Sequence, residues 1–200
     1  MNVEYKFLGE IAEIIAGIPE EKKKGDKEYK YFCIQPSHLN YNNKLLKFDV
    51  VYRAKPINER ALVKEEDILI KRLSPSYINL VMGSYKNAYV TSNIMIVRRN
   101  EKIISGYLAA ILEVQGLKTL KHHTKRGVTV QTISKKELSL IEIPLPDLQT
   151  QKVLGEIWLL NNCKQKLLND WIIKENDFIK SLFNTILTMK GSKNDDKKRN

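Results

Sequence analysis

At 200 residues the chain can bury one substantial core with an appendage, and 42% hydrophobic against 28% charged residues excludes wholesale disorder. Lys and Arg number 34 against 23 Asp and Glu, a formal charge of +11 that favours a polyanionic partner. The opening MNVEYKFLGE has acids and no apolar signal core, and no run approaches membrane-spanning length, so the expectation is a soluble, cytoplasmic protein with no membrane partner.

In chain order, LGEIAEIIAG (8–17) starts with apolar residues at helical spacing and ends at Gly17, which predicts a short helix or turn before a charged loop, IPEEKKKGDKEYK. YFCIQPSHL (31–39) reads as a strand closed by Pro36. Further strands are expected within 44–57 and 65–73, and YVTSNIMIVRR (89–99), rich in Val, Ile and Thr, gives the clearest one. ISGYLAAILEVQGLKTL (104–120) switches to helical spacing, with Tyr107, Leu108, Ile111, Leu112 and Leu117 available for one buried side. A basic loop, a short β segment, a small turn or helix and a last strand at 138–145 follow. Strands and helices interleave without the alternation of a doubly wound sheet, which predicts an α+β globule on a mixed β-sheet over 1–146.

After Pro146 the pattern changes. Asp147 is placed to cap a helix, and from Leu148 to Lys190 there is no proline and one glycine, Gly155. Unbroken, forty-odd residues at about 1.5 Å each would make a rod of roughly 60 Å. Apolar residues recur along it at Val153, Ile157, Leu160, Leu167, Leu168, Trp171, Ile172, Phe178 and Leu182, with Trp158 adding bulk. Such a face is too apolar to stand alone, so residues 147–190 are expected to pack on a partner helix; the alternative is two shorter helices folded back on the globule. The charged tail 191–200 is expected to be disordered.

Catalytic signatures are missing from the sequence. There is no GxxxxGK[ST] loop and no GxGxxG turn. SPSY (74–77) lacks the acceptor and second proline of an amino-methyltransferase loop and reads as a turn, and Pro146-Asp147 has no Glu-x-Lys after it for a nuclease site. Cys33 and Cys163 have no metal-ligand spacing, and the adjacent His122 and His123 diverge on either a strand or a helix, so no metal and no cofactor is expected. The densest functional stretch is KTLKHHTKRGVTVQ (118–131), in which Lys118, Lys121, Lys125 and Arg126 occur without an acid. Together with Lys71 and Arg72 these cations suit phosphates or guanine edges, while His122, His123, Thr129 and Gln131 are candidate base readers. A solvated basic loop is the bland alternative.

Six elements in order carry a family likeness: LGEIAEIIAG, EEDILI, TSNIMIVRR, GYLAAIL, RGVTVQTISKKEL and IEIPLPDLQTQKVLGEI. Over about residues 5–190 the chain resembles half of a type I restriction-modification specificity subunit, one target-recognition domain followed by one spacer helix. The resemblance implies a non-catalytic reader of double-stranded DNA that recruits methyltransferase subunits, with a restriction motor subunit joining for cleavage. Members of usual length hold two recognition domains and two antiparallel helices, so the half-length form is expected to form a homodimer through 148–190 and to read a bipartite target, one half-site per chain. Pairing with a different specificity chain would make the target asymmetric. The rival readings are a free-standing DNA-binding regulator or restriction-modulating protein, a small enzyme with an unrecognised motif, and a helical scaffold whose charge serves solubility.

Overall fold

Two stretches, Ile68–Lys71 (β5) and Ile94–Arg99 (β8), are apolar without alternation, as strands are when both faces of their sheet are covered. Ile68, Ile70, Met95 and Val97 turn into one core, and Leu69, Ile94 and Ile96 into another on the opposite face. With Ala12–Ala16 (β2) and Ile78–Leu80 (β6) they form a four-stranded antiparallel sheet ordered β2-β8-β5-β6. Lys71 lies opposite Ile94 at one end, and Ala12 lies opposite Arg99 at the other. At the Lys71 end Ile18 bridges to Thr91, and a Cβ on Gly17 would sit 2.0 Å from the Thr91 carbonyl oxygen, so only glycine fits. The computed structural model describes residues 3–19, 29–40, 48–73, 77–116 and 132–195.

A three-stranded sheet covers one face, with Tyr29–Ile34 (β3) between Asp49–Arg53 (β4), antiparallel to it, and Ala88–Val90 (β7), parallel to it. Its Ile34, Ala88 and Val90 share the inter-sheet core with Leu69 and Ile96. The other face is covered by Leu8–Ile11 (α1), Ser105–Ile111 (α2) and Lys135–Ser139 (α3), with α2 running into a π turn at Leu112–Gly116. Glu4–Phe7 (β1) and Glu142–Leu145 (β9) pair as a two-stranded antiparallel sheet whose Ile143 is fully buried in the same core. The mixed-sheet α+β class expected from the sequence is the class observed.

Several boundaries differ from the sequence reading. Only the first turn of 8–17 is helical; Ala12–Ala16 is a strand, because Ile14 and Ile15 find ladder partners in Val97 and Ile96. The run 89–99 is two strands in two sheets, broken where Ile94 N–H bonds back to the Thr91 carbonyl. The last strand begins at Glu142 rather than 138, since Ser134 and Glu137 form a reciprocal capping box that makes 135–139 helical. Pro144 lies inside β9 opposite Tyr5, on a strand whose other edge has no ladder partner among the described residues and where a missing N–H is harmless.

The chain divides into two units, Met1–Leu160 and Asn161–Asn200. A single helix, Leu148–Asp195 (α4), begins in the first and makes up the described part of the second. Asp147 caps it as its position suggests: one carboxylate oxygen accepts from Thr150 N–H at 2.9 Å and the other from the Thr150 hydroxyl at 2.7 Å. These bonds, the backbone one first, hold the Asp147 carboxyl below the usual carboxylate range. No described helix is long and apolar enough to cross a membrane.

Candidate nucleic-acid interface

The two ends of the four-stranded sheet carry opposite electrostatic arrangements. At the Arg99 end each arginine has a carboxylate. Arg98 forks onto Asp67 at 2.8 and 2.7 Å and also donates to the Arg60 and Leu62 carbonyls at 3.0 and 2.8 Å, while Asp67 accepts from Lys64 N–H at 2.7 Å. The Asp67 hydrogen bonds push the Arg98 pKa up against the opposing effect of burial. Arg99 pairs with Glu66, and Arg60 with Glu13. Arg98 is thus neutralised by a buried carboxylate, whereas Arg60 and Arg99 are paired at the surface, so Arg98-Arg99 is not an unpaired basic patch.

At the Lys71 end, neither Lys71 nor Arg72 pairs with a carboxylate among the described residues. The Lys71 ammonium lies 4.8 Å from the centre of the Tyr77 ring, a cation–π placement that orients the charge without cancelling it. Arg72 donates from Nε to the Ile133 carbonyl and from Nη1 to the Ser92 carbonyl, both at 3.0 Å. The other candidates, Lys118, Lys121, His122, His123, Lys125, Arg126, Thr129 and Gln131, lie outside the described residues. Their run is continuous in sequence with Thr132, which bridges to Leu73 beside Arg72.

The helix supplies a second surface. All nine apolar positions singled out along it are exposed, from 44% at Val153 to 69% at Leu160. In the second unit Leu167, Leu168, Trp171, Ile172, Ile173, Phe178, Ile179, Leu182, Phe183, Ile186 and Leu187 are exposed, and at 100° per residue they spread over an arc of about 240°. Trp158 does not belong with them. It is 8% exposed, and its indole N–H donates to Glu113 at 2.5 Å.

Trp158 belongs to a junction within the first unit that sequence reasoning missed. Gln151, 2% exposed, accepts from Ile104 N–H at 3.0 Å and donates to the Pro146 carbonyl at 2.9 Å. One turn on, Gly155 meets Gly106 of α2 so closely that a Cβ on Gly155 would lie 2.7 Å from Tyr107 N. The available signal was the 151/155/158 spacing of Gln, Gly and Trp on one helix face, which apolar periodicity overlooks.

An α+β globule whose cations at one end of the central sheet meet no carboxylate among the described residues, continued by a helix with an exposed apolar face, defines a recognition module. Comparison makes the class specific: residues 1–158 match the family model of the type I restriction modification DNA specificity domain, and the chain belongs to that family, a non-catalytic DNA-recognition one. No protein of curated function matches the chain in sequence. Among solved structures, a chain from work on complex assembly and conformational transition of the type I R-M system superposes with a TM-score of 0.67 at 17% identity, covering 90% of this chain and 43% of that one. The HsdS subunit from Thermoanaerobacter tengcongensis gives 0.58 at 17% identity, with 82% and 37% covered. The type I S subunit from M. genitalium gives 0.53 at 17% identity, with 84% and 41% covered. The chain thus spans about two-fifths of the length of the structures it matches, and the likeness is one of fold.

Proposed function

We propose that this chain is a sequence-specific reader of double-stranded DNA in a type I restriction-modification complex. It supplies one recognition domain, residues 1–146, that reads one half-site, and a helix from 147 onward that pairs with a second copy. Methyltransferase subunits are recruited to this assembly, and a restriction motor subunit joins where cleavage follows. In this reading Lys71 and the run Lys118, Lys121, Lys125 and Arg126 meet phosphates or guanine edges, and His122, His123, Thr129 and Gln131 read bases.

The observation that carries the pairing is the exposed apolar arc of the helix. An a/d seam for one partner is narrower than this arc of about 240°, which leaves apolar area for further helices beside the second copy. Leaving these side chains in water forfeits about 1.5–3 kcal/mol for each large one, so a partner is strongly favoured. Light scattering on the purified chain, alone and mixed with a methyltransferase subunit, tests the reading. A dimer that takes up methyltransferase subunits is the expected result, and Trp171→Glu with Leu168→Glu should abolish it. A wild-type monomer at micromolar concentration that ignores methyltransferase refutes it.

A further inference from the structure

We infer that Arg72 is a positioning residue for DNA recognition, not a phosphate contact; the inference rests on the reading of the chain as a DNA-reading domain. Three separate pieces of chain meet at this residue. Its own backbone N–H donates to the Asn93 carbonyl at 2.9 Å, and its carbonyl accepts from Ile133 N–H at 3.1 Å. Its side chain repeats both ties, from Nε to the Ile133 carbonyl and from Nη1 to the Ser92 carbonyl, each at 3.0 Å. The next residue, Leu73, forms the antiparallel bridge to Thr132.

Arg72 thereby clamps the end of β5, the turn between β7 and β8, and the segment Thr132–Ile133 into one unit. A guanidinium suits this because its planar fork can reach two carbonyls at once at fixed angles; an ammonium on a flexible stem cannot hold both in the same geometry. The contrast with the neighbouring cation is sharp. The described contact of the Lys71 head group is the Tyr77 ring, so its donors are not committed to backbone carbonyls there. Arg98 shows the fork used on a carboxylate at the far end of the sheet, whereas Arg72 uses it on neutral carbonyls and keeps its charge. The two adjacent cations therefore have different tasks, Lys71 the electrostatic one and Arg72 the geometric one.

The distinguishing experiment compares wild type, Lys71→Ala, Arg72→Lys and Arg72→Ala on two probes: a duplex enriched by the wild-type chain from a random library, and a scrambled duplex of the same length. Affinity is measured across a salt series. Arg72→Lys keeps the charge and loses the fork, so it should lose on the order of tenfold in preference for the enriched duplex, as Arg72→Ala does, with the salt slope of nonspecific binding unchanged. Lys71→Ala should keep the preference and lower the salt slope by about one. Hydrogen exchange on the same variants gives a readout independent of affinity: the Ile133 amide should exchange faster in Arg72→Lys while the amides of β2 and β8 stay protected. An Arg72→Lys chain with wild-type preference and unchanged Ile133 exchange overturns the inference and makes Arg72 a simple charge contact. A wild-type chain that binds no duplex at low salt, and enriches none, overturns the DNA reading itself and this inference with it.

Discussion

Replacing Gly155 by alanine sets two effects of known sign against each other. In an exposed helix interior the change would stabilise by about 1 kcal/mol, the difference in helix propensity. Here the new Cβ would stand 2.7 Å from Tyr107 N and 3.0 Å from Gly106 C, and both are backbone atoms that cannot swing aside. Overpacking of this kind costs about 1–3 kcal/mol. Separating the helices also lengthens the Ile104–Gln151 and Trp158–Glu113 hydrogen bonds, each contributing on the order of 1 kcal/mol. The steric and hydrogen-bond losses exceed the propensity gain, and Gly155→Ala should be destabilised by about 1–3 kcal/mol. Gly106→Ala is the internal control, because its Cβ would meet the Gly155 backbone no closer than 3.4 Å, ordinary contact. Urea unfolding followed by Trp158 fluorescence in a Trp171→Phe background, at one fixed protein concentration, reads both variants. If Gly155→Ala is as stable as wild type, or if Gly106→Ala suffers equally, the glycine junction does not set the contact between α2 and α4.

The pair Arg98–Asp67 is buried on the Asp67 side, at 1% side-chain exposure, so removing one partner strands the other. Asp67→Ala should lose about 3–5 kcal/mol, and Arg98→Met combined with Asp67→Leu should lose less than the two single changes added together, a coupling that a double-mutant cycle of unfolding free energies measures. Tyr89, 1% exposed, has its hydroxyl pKa pushed up to about 12, first by burial and then by Cys33. A raised folded value means that its contribution is full below the ordinary value near 10 and is lost as pH rises through about 12. Tyr89→Phe should therefore flatten the alkaline fall in stability over that window, and an identical fall in wild type and variant would count against it. Ser134→Ala removes the hydroxyl that accepts from Glu137 N–H and caps α3, and with it the side-chain hydrogen bond that is the first cause of the lowered Glu137 carboxyl pKa; the backbone N–H at 134 still donates to that carboxylate. A loss of about 1 kcal/mol in urea is expected, and since the Glu137 pKa is depressed, the difference from wild type should shrink as pH falls through the acid range.

Where the sequence was readable, a single physical signal dominated. The ILIK and IMIVRR runs announced strands because both faces of their sheet are buried, and the proline-free stretch after Asp147 announced the long helix because nothing in it interrupts the hydrogen-bond ladder. Misreadings fell where two signals coexist. The apolar residues Leu8, Ile11, Ala12, Ile14 and Ile15 fit a period of 3.6 and a period of 2 in succession, and the pairing with β8 decides between them. The Thr91-Ser92-Asn93 break was masked by the β propensity on either side of it. The charge count was true but undiscriminating: Arg60, Arg98 and Arg99 contribute to +11 and are consumed by Glu13, Asp67 and Glu66, a pairing made at sequence separations that no local pattern reveals.

The first turns of α4 reverse the usual logic of an amphipathic helix. A helix on a globule ordinarily turns its apolar stripe inward and its polar residues to water. Here the inward face of residues 148–160 carries Gln151 and Gly155, which dock by hydrogen bonds and close backbone approach, with Trp158 and Leu159 packed on the core, while Val153, Leu154, Ile157 and Leu160 are exposed. Docking through glycine needs little apolar area, and this frees the apolar side chains for the outward face. A chain that only had to fasten its helix to its own globule would gain more by rotating that helix and burying the leucines. That the sequence instead spends a glycine and a glutamine on the internal contact supports the proposal that the apolar face packs on another chain.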